Sequence, residues 1–529
     1  MHPSLKPSST TGSSPAFIRN AQPSFSNATR TIQPEESTPL LPVPTEKYSS
    51  FSAAQKAFII FTAAFASTFS PFSSNIYYPA INSIARDLHV TPSMMNFTIT
   101  AYMILQGLAP TFMGNLSDTV GRRPVYVLCF GIYICANIGL ALQHNYWVLL
   151  ILRALQSTGI SATVALSNAV AADTVTSAER GTYLGIASLG SIVGPTLGPT
   201  LGGVISQYWC WQSIFWVLAI LSGFVGGAIL LFFPETCRKI VGNGSIPPPS
   251  WNRSLINCIT ERRKRRRGIS MEEEYARRNE LSINRQIRFP NPLTTLRLLF
   301  ELPTGLILLA NGISYGAYYA VTSSVPSQFS AIYGLDDLQI GLTYIPIGLG
   351  TILSSFVNGW AVDWNFRRIA ASNGGIPPFK GGKQDLTDFP VERARLQIAI
   401  PPTIIAAISI AIYGWLLHYE APLWVSILFL FLIGYFMTAS YNVMNVLIVD
   451  LNYDTPATAT AANNLVRCSI GAASTAAIIP LLNCTGRGMS YTIVAGIWAG
   501  FTPLSMFVYL FGLQWRKERD ARKAEITEA

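Results

Sequence analysis

Two arginines, Arg153 and Arg467, interrupt stretches that are otherwise apolar for about twenty residues. A guanidinium facing hydrocarbon costs at least ~2.5 kcal/mol, so each must meet a partner or a water-filled hollow. Its planar fork of donors suits carboxylates and other oxyanions, which points to anion binding inside a membrane. Gln156 shares the helical face of Arg153, and Asn463 stands one turn before Arg467. Asn311, Tyr315 and Tyr318 fall on one side of another stretch, and Asn75, Gln106, Asn442 and Asn445 bring amides from three more. Aromatic and amide groups suit a pocket for bulky, partly apolar molecules. The same side chains also join helices in membranes through hydrogen bonds, so both readings stand for each of them.

Carboxylates are absent from the middle of these stretches. Asp173 and Asp450 stand at stretch ends, either as proton-coupling groups or as solvated helix-end residues. Two embedded arginines without embedded acids also fit a cavity whose substrate brings the negative charge.

A second constellation occurs twice. Gly114, Asp118, Gly121, Arg122 and Arg123 lie in GNLSDTVGRRP; Gly359, Asp363, Arg367 and Arg368 lie in GWAVDWNFRR, each matching position 245 residues on, as 359 follows 114. Asp118 is one turn from Arg122 and close enough to pair with it, and an anion near a helix N-terminus gains ~0.3 to 1 kcal/mol. Such a loop is a latch that holds one conformation closed, with the 363–368 copy as its weaker counterpart. A bias of basic residues towards one membrane face explains the arginines but neither Gly114 nor Asp118. Gly190, Gly194, Gly198 and Gly202 recur every fourth residue, forming a groove for close helix approach, with Gly203 beside it and Pro195 and Pro199 as kinks.

The elements that carry these residues are membrane helices. Half of the chain is hydrophobic, only 12% is charged, and soluble domains carry about twice that charge. Twelve stretches are long and apolar enough to cross ~30 Å of hydrocarbon: 56–79, 96–115, 124–143, 146–172, 181–206, 211–233, 303–327, 339–361, 396–417, 422–449, 457–482 and 490–513. The duplicated loop makes them two halves of six, 55–233 and 297–513. An internal repeat of this kind is the sequence mark of a secondary transporter.

Basic residues crowd the loops of one face, while the opposite loops hold only Arg86 and Arg487, which places both termini in the cytoplasm. The net charge of +10 follows from this asymmetry and calls for no nucleic-acid partner. Residues 1–54 are rich in Ser, Thr and Pro and read as a disordered cytoplasmic tail with no cleaved signal; 514–529 form a second, short tail. An acidic dileucine pattern around Leu40 and Leu41 allows a vacuolar or endosomal destination beside the plasma membrane. The central segment 234–296 contains a run of six basic residues, 262–267, and is either a contact for anionic membrane lipids or a solvated linker. The seven cysteines lack metal-ligand spacing, and no metal or other cofactor is expected.

Three signatures carry a family resemblance. GNLSDTVGRRP resembles the loop 2-3 signature of the major facilitator superfamily, RALQ at 153–156 its span 4 signature, and GPTLGPTLGG at 194–203 the span 5 signature of its antiporters. With NIYYPA at 75–80 and ATATAANNLVRC at 457–468, the whole chain resembles fungal twelve-span drug:proton antiporters near the quinidine-resistance type. The resemblance implies an all-α fold of two pseudo-symmetric six-helix halves, acting as a monomer. It further implies export of a small-molecule substrate such as a drug, toxin or secondary metabolite, with protons as the exchanged partner and the proton gradient as the energy source. The loop after span 2 would stabilise the outward-facing state. An organic-acid exporter of the same superfamily and a non-transporting nutrient sensor are the alternatives; no catalytic cluster of His, Ser and Asp suggests an enzyme.

Overall fold

The first transmembrane helix starts at a capping box: the Ser52 hydroxyl accepts from Gln55 N and the Gln55 side chain accepts from Ser52 N. The computed structural model describes residues 49–175, 194–266, 276, 298–372, 379–380, 383–384, 389–452 and 456–528. All twelve apolar stretches coincide with helices there, the fifth in part. We number them spans 1 to 12: Ala53–Asn75, Pro92–Thr119, Arg122–Leu142, Tyr146–Thr174, 194–208, Trp211–Phe232, Thr304–Tyr333, Asp337–Ser372, Val391–His418, Leu423–Leu451, Pro456–Thr485 and Arg487–Glu528. Nine of the described helices are long and apolar enough to cross a bilayer on composition alone. Spans 2 and 7 fall short because their inward faces carry Asn96, Thr98, Gln106, Asn311 and Ser314, all buried in protein rather than facing lipid.

Several limits differ from those expected. Span 4 is interrupted at Ser161 and Ala162, giving Tyr146–Ile160 and Thr163–Thr174. The helix of span 12 runs on to Glu528, so the expected 514–529 tail is mostly a helical continuation; Arg516 there is 1% exposed. The first helix also takes the last residues of the expected 1–54 tail. Within the central segment a short helix, Leu255–Arg266, packs back against span 6. The insertion between spans 8 and 9 holds two short paired strands, Phe379–Lys380 and Lys383–Gln384.

Residues Lys47–Ala529 pack as one unit, in which the two halves meet along two seams. At the first seam, span 2 lies on span 11: Asn96 Nδ2 donates to Thr475 O (3.1 Å), Thr100 Oγ1 to Ala472 O (3.3 Å), and Asn464 Nδ2 to Gln106 O (3.0 Å). At the second, span 5 meets span 8. Gly203 lies where a Cβ would strike the Asp337 carbonyl, and Gly341 packs on the Pro199 carbonyl. The Asp337 carboxylate accepts from Ser83 Oγ (2.6 Å) and Ser206 Oγ (2.5 Å) of the first half. Ser83, Asn96, Gly203, Ser206 and Asp337 all stand near span ends on the face opposite the basic loops, so the halves are joined there.

Candidate functional site

Arg153 occupies the middle of the first half and is fully buried. Its guanidinium lies between the rings of Tyr77 and Tyr102, 4.3 and 4.5 Å from their centroids, and Nη1 donates to Gln156 Oε1 (2.6 Å). Gln156 Nε2 donates in turn to Asn137 Oδ1 (2.7 Å), which carries the polar chain from span 4 to span 3. Among the described residues no carboxylate touches Arg153; two aromatic faces and an amide hold the charge, while Nε and Nη2 meet no acceptor there.

Arg467 is its counterpart in the second half and is only half-buried. Nε and Nη2 converge on Asn464 Oδ1 (3.1 and 2.8 Å), Nη1 donates to the Tyr441 hydroxyl, and the Tyr315 ring lies 5.0 Å away. Tyr315 packs on Tyr319 (4.6 Å), and Tyr319 on Tyr318 (5.6 Å), forming an aromatic wall. A closed amide triad stands beside it: Asn311 Nδ2 donates to Asn445 Oδ1 and to Asn463 Oδ1 (both 2.8 Å), and Asn463 Nδ2 to Asn445 Oδ1 (2.7 Å).

Arg153, Gln156, Asn311, Tyr315, Tyr318, Asn445, Asn463 and Arg467 are thus gathered as two polar walls. Among the described residues, three expected side chains do not join these networks. Asn75 donates back to Pro71 O (2.7 Å) and packs on Gly198, so it belongs to the span 1 and span 5 contact. Gln106 is buried and meets Asn464 through its main-chain carbonyl. Asn442 is half-buried and takes no part in the amide triad. Sequence reasoning missed Tyr77, Tyr102, Asn137, Tyr441 and Asn464. Asn464 stood beside Asn463 and one turn before Arg467, which was a usable signal.

The basic loop after span 2 is a built latch. Arg122 pairs with Asp118 and, through Nε, with Asp173 of span 4 (3.0 Å), while Lys239 approaches Asp118 (3.4 Å). Asp173 is therefore a shielded partner of Arg122, with 13% of its side chain exposed, rather than a solvated helix end. The element missed from sequence is Glu235, which follows span 6 and is 2% exposed. It accepts from Arg122 N (2.9 Å), Arg123 N (3.2 Å), Cys237 N (2.9 Å) and Asn252 Nδ2 (2.7 Å), so a carboxylate sits on the span 3 N-terminus where the helix dipole favours it. Gly121 permits this approach: its φ is +122°, and any Cβ would collide with the Glu235 carboxylate. Gly114 is different, since a Cβ there would meet open space. Cys237, packed under this loop, has its thiol pushed up to about 11 by burial, so it stays a neutral thiol.

The second copy is built otherwise. Asp363, Arg367 and Arg368 are exposed, and among the described residues none forms an ion pair; Arg368 donates to Gln397 Oε1 (2.9 Å). The insertion after Ser372 separates this motif from span 9, so the latch partner comes from span 9 itself. Arg395 pairs with Asp450 of span 10 (3.0 Å), repeating the Arg122 and Asp173 geometry between spans 3 and 4. Glu392 in the first turn of span 9 pairs with Arg516 of span 12 (2.9 Å), in a position like that of Glu235 after span 6 but with the signs exchanged.

The glycines of span 5 form the expected groove. Gly194, Gly198 and Gly202 face the main chain of Phe72 and Ile76, so span 1 fills it; Gly190 lies outside the described residues. Pro195 and Pro199 stand between them in the same described helix.

The Major Facilitator Superfamily model matches residues 63–476. The chain is 49% identical over 415 residues to the MFS-type transporter phiL of a fungal species (strain ATCC 74256), covering 77% of this chain and 96% of that protein. It is 44% identical to the MFS-type transporter phiD of the same fungus, covering 91% and 72% respectively. Citrate exporter 1 of Aspergillus niger is 34% identical, with 93% of each chain covered. Among solved structures, the partially occluded inward-open xylose transporter XylE from E. coli superposes with a TM-score of 0.58 at 14% identity, covering 86% of this chain and 99% of that one, a likeness of fold.

Proposed function

This chain belongs to the major facilitator superfamily, a family of transporters, and on that footing we propose that it is a proton-coupled exporter of small organic molecules such as drugs, toxins or secondary metabolites. The two six-helix halves alternate access to the Arg153 and Arg467 walls. One observation carries the reading: Arg467 keeps partial exposure while joined, through Asn464, to the main chain of Gln106 in the other half. A substrate that engages Arg467 competes for the group that links the halves, so occupancy and closure are coupled.

The proton-coupling groups in this reading are Asp173 and Asp450, carboxylates at the cytoplasmic ends of spans 4 and 10. Each is held by an arginine, and protonating either releases that arginine and loosens its half of the latch. A membrane potential supplies ~2.3 kcal/mol per charge per 100 mV, enough for one proton to sustain a roughly forty-fold gradient. The plasma membrane is the expected location, with the vacuolar or endosomal membrane as the other destination; the protein acts as a monomer.

A second reading, organic-acid export, is favoured by the charge pattern: two guanidiniums line the walls, and among the described residues neither contacts a carboxylate. The relative named as a citrate exporter is in keeping with it. Survival of a drug-sensitive fungal strain expressing this chain, across antifungals, polyamines and organic acids, tests export. Efflux of a dicarboxylate against a hydrophobic cation then separates the two readings, and loss of both fluxes removes the proposal.

A further inference from the structure

The helix Leu255–Arg266 leaves one face uncovered, and that face is patterned. Leu255, Ile259, Arg262, Arg263 and Arg266 are exposed at i, i+4, i+7, i+8 and i+11, a single stripe that is apolar in its first half and basic in its second. Trp251, in the short 3-10 turn Ser250–Asn252 that precedes the helix, is 62% exposed and adds an apolar side chain near its start. The one acid on this helix, Glu261, is paired with Arg253 (2.9 Å), so the stripe keeps its positive charge.

The segment that leads into this stripe is tied to the membrane spans by hydrogen bonds. Asn252, beside Trp251, is fully buried and accepts from Arg123 Nη1 (3.1 Å) in the first turn of span 3. The same guanidinium donates through Nη2 to Leu230 O (2.6 Å) in the last turn of span 6. Trp251 therefore lies level with the cytoplasmic ends of two membrane spans, where hydrocarbon gives way to headgroups and where tryptophan concentrates.

We infer that this helix is a peripheral anchor that lies on the cytoplasmic leaflet and binds anionic phospholipid. Trp251, Leu255 and Ile259 enter the acyl boundary, and Arg262, Arg263 and Arg266 meet headgroup phosphates. Its basic sequence continues through Arg267, so the attraction grows towards its end. Charge complementarity selects the occupant: an anionic lipid surface matches both halves of the stripe, whereas a solvated linker has no use for exposed leucine and isoleucine in register with arginine.

The test uses the full chain in nanodiscs of phosphatidylcholine alone or with phosphatidylserine, with the exposed Cys135, Cys210 and Cys484 and the half-buried Cys258 replaced by serine. A spin label is placed by Leu255→Cys or, in a second variant, Ile259→Cys, both surface positions that leave the fold intact. In anionic nanodiscs the label is expected to be shielded from an aqueous nickel chelate and accessible to oxygen, and to become water-accessible when Arg262, Arg263 and Arg266 are changed to glutamine. Each arginine removed should weaken the association about fivefold. Equal water access in both lipid mixtures overturns the inference and leaves the face to solvent or a protein partner. Shielding that ignores phosphatidylserine content overturns its anionic part.

Discussion

Nε and Nη2 of Arg467 converge on a single oxygen, Asn464 Oδ1, at 3.1 and 2.8 Å. The Asn464 amide donates on to Gln106 O across the seam between halves. Asn464→Ala removes both contacts at once and leaves Arg467 held by Tyr441. Hydrogen bonds to a charged group contribute ~1.5 to 3 kcal/mol, so turnover should fall at least about tenfold while the protein stays folded. Substrate efflux from proteoliposomes checks this, and unchanged turnover would separate the arginine site from the seam.

Arg153 predicts a stricter outcome. It is fully buried between two tyrosine faces and bonded to Gln156, a geometry that a planar guanidinium fits and an ammonium does not. Arg153→Ala and Arg153→Lys should both abolish export with normal amounts of protein in the membrane, as read by efflux and surface labelling. Normal transport by the lysine variant would reduce Arg153 to a packing role.

The two glycines of the first latch motif should part company. Gly121→Ala meets a strained φ and the Glu235 carboxylate, whereas Gly114→Ala meets nothing. Strain and displacement of a buried cap together are expected to cost ~2 kcal/mol. Thermal unfolding in detergent should show a lower midpoint for Gly121→Ala and a wild-type midpoint for Gly114→Ala. Equal midpoints would mean that Glu235 relaxes without penalty.

The repeat in the sequence locates the second latch only in part, and the next prediction turns on why. The 245-residue offset aligns span 2 with span 8, but the insertion after Ser372 breaks that offset before span 9, so Arg395 takes over where Arg367 and Arg368 were expected. Arg367→Ala should leave transport near wild type. Arg395→Asp should impair it, and the double variant with Asp450→Arg should recover most of the loss. Pairs of this kind, mostly shielded from water, couple by about 1 to 3 kcal/mol. A double variant no better than the single would remove the pair from the latch.

What the sequence made legible has a physical pattern. Twelve helices, two halves and the wall residues Arg153, Gln156, Asn311, Asn463 and Arg467 were readable because a polar group in a long apolar stretch has few places to go. The span 5 groove was readable because glycines recur at every fourth position, and Gly194, Gly198 and Gly202 share one helical face. Glu235, Tyr441 and Asn464 were not found, since each gains its role from a residue distant in the chain: Glu235 from the span 3 N-terminus 113 positions away, Tyr441 from Arg467 26 positions on, Asn464 from Gln106 across the seam. Asn75 and Asn442 were placed on the walls because periodicity tells which side of a helix is polar but not which neighbour that side meets.

Asp337 supplies a final prediction, at the face where it joins the two halves. It is 5% exposed and its carboxylate takes hydroxyl hydrogen bonds from Ser83 and Ser206, both from the other half, so opening this face must break two charge-assisted bonds. Asp337→Ala should shift the equilibrium towards the state open at this face by about 2 kcal/mol, or roughly thirty-fold. A reporter cysteine at Ser323, a one-atom change at a position 2% exposed and near the middle of span 7, should be labelled by an external membrane-impermeant maleimide much faster in Asp337→Ala than in the parent. Asp337→Asn should lie between the two, because the amide oxygen still accepts a hydroxyl but without charge. If labelling is equally slow in all three, this face is held by the backbone packing of Gly203 and Gly341, and the carboxylate contributes nothing to the gate.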